Sequence, residues 1–237
     1  MNLYQPEFMK IRLSVYLRAI LGILAGLLSI GMIFLFIYQI EGGGTAEDTE
    51  LFSSWSGLTA LTTALAFACF SVFSAVIAAR VIVSEYCGRN AVVLLSYPVS
   101  RKAILRAKCL TLSGITTVSA LISNMLVIGV MYLSSRVFKI RPQMNTKYFF
   151  LTVLLSSLLM GVLSSGAGMI SAAFGYKKRS SSAAVVCSLI IVCALANCIT
   201  IAPQSIVPVM LVLSGSFVIF AGLIYHTLAK AIEKMEV

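Results

Sequence analysis

Apolar residues run along this chain in six long, nearly uncharged stretches separated by short polar segments. The stretches cover about 19–40, 55–79, 109–134, 148–174, 183–201 and 206–228. A helix needs roughly 20 apolar residues to cross a bilayer, so each stretch predicts one membrane-spanning helix. The polar segments predict different things. In residues 1–18, Glu7, Lys10, Ser14 and Arg18 recur at helical spacing, with Phe8, Ile11 and Val15 opposite them. That pattern predicts an amphipathic helix lying in the headgroup layer. Asn197–Pro208 contains two prolines and no charge. It predicts an element that dips into the outer leaflet and returns, its backbone satisfied by protein or water.

The most polar segment is Ser84–Lys108, SEYCGRNAVVLLSYPVSRKAILRAK. Arg89, Arg101, Lys102, Arg106 and Lys108 make it basic, Arg80 stands just before it, and Pro98 breaks it. Such a segment cannot cross a bilayer and must contact something beside it. Ser84 is placed to cap a helix starting at Glu85. Ser100 is placed to cap a second helix that begins near Arg101 and runs through Lys108 into the third span. Between them Val93, Leu94 and Leu95 are apolar side chains with no lipid to enter, which implies a groove on a partner.

Composition sharpens this into a single membrane domain over 1–237. The chain is 59% hydrophobic and 11% charged, against about 25% charged in soluble domains. The net charge is +10. With the N-terminus inside, 14 of the 18 basic residues fall on inner segments, and the first outer loop, EGGGTAEDTE, has none. The positive-inside rule then predicts both termini cytoplasmic. The loop Ser135–Lys147, with four basic residues, runs against the pattern. The charges flank helix ends and contact anionic lipid, so no nucleic-acid partner is expected. The N-terminus predicts no removable signal peptide.

Candidate chemistry is sparse. The six cysteines form no CxxC pair, so neither a metal site nor a disulfide framework is expected. The spans hold essentially no Asp, Glu, Lys or Arg, and His226 is the lone histidine. Ion-coupled carriers and intramembrane metalloproteases need such groups. No GxxxxGK[ST] loop is present, so any ATP must be hydrolysed by another polypeptide. The small residues of the fourth span, including Ser156, Ser157, Gly161, Ser164 and Gly168, predict close helix packing, as Gly22 and Gly26 do in the first. Phe67, Phe70 and Phe73 read first as core or lipid contacts and second as a substrate path.

Glu85, Gly88, Leu94, Pro98, Ser100 and Arg101, with the later Lys108, resemble the intracellular signature of ABC-2 type permeases. Among these the chain looks most like the six-helix permeases of bacitracin and lantibiotic self-protection and of amphipathic-peptide toxin exporters. The resemblance implies an all-α membrane protein of the ABC-2, or type V exporter, fold. Its parts would be an interfacial N-terminal helix, six spans, a cytoplasmic coupling helix within 84–108, and a re-entrant element over 197–208. It implies a homodimer in a bacterial plasma membrane, with each copy docking an ATPase subunit. This chain would bind no cofactor; ATP and magnesium would sit in the ATPase. Contact residues would be Glu85, Gly88, Arg89, Leu94, Leu95, Pro98, Ser100 and Arg101. A path for a hydrophobic or amphipathic peptide would run near helices one, two and five, past Phe34, Phe67, Phe70 and Asn197. The alternative is a membrane sensor or scaffold that recruits a cytoplasmic protein through the same segment and transports nothing.

Overall fold

The computed structural model describes residues 13–40, 54–84, 101–138, 149–200 and 205–233. Six helices are long and apolar enough to cross a membrane, and no strand occurs among the described residues. They are α1 (Leu13–Ile40), α2 (Trp55–Ala78), α3 (Arg101–Val137), α4 (Phe149–Lys178), α5 (Ser181–Thr200) and α6 (Ile206–Glu233). α2 runs on through a π-helical turn, Ala79–Val83.

The helix ends follow local chemistry. Ser54 takes extended φ/ψ of −116° and 147°, and its hydroxyl accepts from the Gly57 N–H at 3.1 Å, which caps α2. α4 closes with a Schellman pattern. Ser180 N–H bonds Gly175 carbonyl at 3.0 Å and Arg179 N–H bonds Tyr176 carbonyl at 3.1 Å. Arg179 occupies the left-handed position usually given to glycine, with φ 50°. Pro208 falls in the first turn of α6, where its missing N–H has no helical acceptor.

α2 and α4 form the centre. α4 packs against α2, α3, α5 and α6, while α1 packs mainly on α3. α2 is the most buried span, and α1, α5 and α6 are the least. Lipid tails are as apolar as leucine, so contact between spans comes from close packing, not from escape from water. The glycines of α4 permit it. A Cβ on Gly161 would lie 2.9 Å from the Thr117 carbonyl oxygen, and one on Gly175 2.8 Å from the Ala184 Cβ. Gly161, Gly168 and Gly175, seven residues apart, thus admit α3, α2 and α5 in turn. Gly22 and Gly26 do not behave this way: a Cβ on either meets nothing within 4 Å, so the pair packs against no helix among the described residues.

Hydroxyls inside the bundle bond back along their own helices. Ser157 donates to the Val153 carbonyl at 2.7 Å, Ser164 to Gly161 at 2.8 Å and Ser171 to Ala167 at 2.8 Å. These bonds let small polar residues sit in an apolar interior.

Candidate functional site

One end of the bundle gathers basic residues from the π turn, α3 and α4. There α2 ends, α3 begins, and α4 turns into α5. Arg80 lies in the π turn, Arg106 and Lys108 in the first turns of α3, and Lys177 and Lys178 in the last turn of α4. A π turn inserts one residue per turn and often marks functional positions. Here it carries α2 toward Ser84 while Val83 stays buried against the Gly175 backbone.

Ser84 differs from the sequence expectation. Its φ/ψ of −69° and −28° are helical, and its hydroxyl donates to the Arg80 carbonyl. It therefore finishes the π turn and does not serve as an N-cap, which would need extended geometry and an accepting hydroxyl. At the other edge the expectation of one helix from near Arg101 into the third span is met by the 37 residues of α3. The hydrophobic span nevertheless begins earlier than 109, at Ile104. Lys108, the last basic residue of segment 84–108, is 2% exposed, so its ammonium is buried along with its stem.

Glu85, Gly88, Arg89, Leu94, Leu95, Pro98 and Ser100 lie outside the described residues, and Arg101 opens α3. Residues 1–12 of the expected interfacial helix also lie outside them, and Ser14–Arg18 continue directly into the first span. Of the segment 197–208, the first four residues finish α5 and Ile206–Pro208 open α6, with 201–204 outside the described residues.

Three of the four path candidates lie in or against one apolar core, and the fourth stands at the surface. Phe67 and Phe70 are wholly buried, and the Phe70 and Phe73 rings meet edge to face at 6.2 Å. Tyr16 adds an edge contact to Phe73 at 6.3 Å, tying α1 to α2. Phe34 is half-buried against the same core, while Asn197 is exposed on α5. Sequence reasoning passed over Asn124. It is 1% exposed, and its amide donates to Ser157 Oγ at 2.8 Å and Thr63 Oγ1 at 3.4 Å, joining α3 to α4 and α2. Both hydroxyls spend their own protons on backbone carbonyls, at 2.7 Å for Ser157 and 2.6 Å for Thr63. The Asn124 Oδ1 has no partner among the described residues. A lone Asn in an apolar run was the available signal.

A profile of the family described as ABC-2 family transporter protein matches residues 3–194. A Bacillus subtilis (strain 168) protein named "Uncharacterized protein YcbO" is 25% identical over 192 residues, covering 81% of this chain and 82% of its own. No solved structure matches.

Proposed function

From membership of the ABC-2 transporter family, to which this chain belongs, we propose that it is the permease subunit of an ATP-driven exporter of amphipathic peptides. Its ATPase subunits dock at residues 84–108. The observation that carries this reading is the family match itself, which includes the whole of that segment. The chain is a multi-pass membrane protein with six spans, and it has no phosphate-binding loop of its own.

The architecture suits a drive applied at the basic end. Segment 84–108 joins the most buried span, α2, to α3. A helix of 37 residues is about 55 Å long, so a displacement at Arg101 acts on a rod that reaches the opposite end. In this proposal two copies of the chain face two ATPase subunits in a bacterial plasma membrane, with both termini cytoplasmic. The nucleotide and magnesium belong to the ATPase. The apolar run around Leu94 enters a groove of that partner, and Glu85 and Arg101 fix its register.

Co-expression with a Walker-type ATPase from the same cell, followed by reconstitution, tests this. The wild-type pair co-purifies and moves a fluorescent amphipathic helical peptide out of vesicles' ATP-facing compartment. Leu94→Asp removes an apolar anchor and weakens docking by about 30-fold, and Glu85→Ala uncouples hydrolysis from transport. Docking without any ATP-dependent movement of peptide supports the sensor or scaffold. Failure of the wild-type chain to retain an ATPase overturns the proposal.

A further inference from the structure

A cleft of about 440 Å³ opens between α3, α4 and α6, and the Asn124 junction is not part of its lining. This is within the size range of small-molecule sites, roughly 300–1,000 Å³. Its α3 wall carries Arg106, Leu110, Ser113 and Thr117, on one face of the helix. Arg106 to Thr117 covers about 17 Å along the axis. Its α6 wall carries Val218, Ala221 and Tyr225.

The lining is graded. α3 runs away from the basic end and α6 runs toward it, so Arg106 and Tyr225 sit together at the basic mouth. Thr117, Val162 and Val218 lie at the deep end. Arg106 is exposed and is the one charged residue among the described lining. It has no hydrogen-bond or ion-pair partner among the described residues. Leu110 and Val218, 49% and 53% exposed, open the apolar part to the surface that faces the bilayer.

We propose that this cleft binds one anionic phospholipid from the leaflet at the basic end, with its phosphate at Arg106 and an acyl chain along Leu110, Val162 and Val218. Charge selects this occupant. The cation stands at the mouth, where a headgroup phosphate resides, and no carboxylate lines the cleft among the described residues. A guanidinium takes a phosphate by paired hydrogen bonds. Tyr225, also in the lining, carries a phenol that can act as a further donor. A basic amphipathic peptide would be repelled at that mouth.

The test uses the full chain in nanodiscs, without nucleotide or ATPase, so it stands or falls separately from the transport proposal. The probe is phosphatidylglycerol bearing a photoactivatable group in its acyl chain, with adducts mapped by mass spectrometry. Adducts are expected around Leu110 and Val218, displaced by unlabelled phosphatidylglycerol and not by phosphatidylcholine. Arg106→Gln lowers labelling about fivefold, Arg106→Lys retains it, and Lys178→Gln at the same end leaves it unchanged. Ala221→Phe fills the cleft and removes the adducts. Equal displacement by phosphatidylcholine, or full labelling of Arg106→Gln, overturns the site. Crosslinks from Leu110 to a second copy, or displacement of the lipid by the peptide probe, assign the cleft to those occupants and also overturn it.

Discussion

Gly168 sets how closely α4 approaches α2. A Cβ there would lie 2.7 Å from the Ser74 Cβ and 3.2 Å from the Ser74 carbonyl carbon. Turning the Ser74 hydroxyl relieves neither contact, so the helices must separate. Gly168→Ala is expected to destabilise the bundle by about 1–3 kcal/mol, the usual cost of overpacking. Adding Ser74→Gly removes the opposing atom and recovers most of the loss. The measurement is a double-mutant cycle on unfolding in bicelles, and purely additive effects would contradict a direct contact. The sequence showed that Gly168 was small but not which helix it faced. α4 carries small residues on several sides, and nothing local distinguishes the side that meets α2 from the one that meets α3 or α5.

One end of the bundle is held by an aromatic collar. Trp55 begins α2, Tyr132 lies near the end of α3, and Phe149 and Phe150 begin α4. Trp55 meets Tyr132 at 5.9 Å and Phe149 at 5.7 Å, and Phe149 meets Phe150 at 5.6 Å. Arg136 donates to the Tyr132 hydroxyl at 2.7 Å and lies 5.3 Å from that ring's centroid. Aromatic rings concentrate at membrane interfaces, and here they also lock three helix ends together. Trp55→Ala is expected to cost about 3 kcal/mol and Trp55→Phe much less. Thermal unfolding in detergent measures both, and equal midpoints for the two variants would refute the locking role. The helices themselves were legible, because an apolar run long enough to cross a bilayer has few other uses. The start of α3 was legible as well: RKAILRAK stands before the apolar run, yet nearly all its residues favour helix, so the helix expected from near Arg101 extends past the hydropathy boundary. Phe67 and Phe70 were ambiguous. α2 is apolar all round, and such a helix shows no face in its sequence.

At the scale of the molecule, α2 and α4 are a buried centre, and α1, α5 and α6 form the most exposed shell of the single chain. Composition announced the membrane protein, and the family match accounts for it as a transporter component. The proposed coupling role rests on a polar segment that no bilayer would accept, and its partner was not legible because the groove that would receive Leu94 would belong to another polypeptide. The central claim is that ATPase subunits seat on residues 84–108. A photocrosslinking amino acid placed at Leu94, at Arg101 and, as control, at Ile219, exposed on α6, tests it in cells that express the ATPase. The account predicts adducts to the ATPase from Leu94 and Arg101 and none from Ile219. An ATPase that co-purifies with the chain yet crosslinks at neither Leu94 nor Arg101 would contradict it.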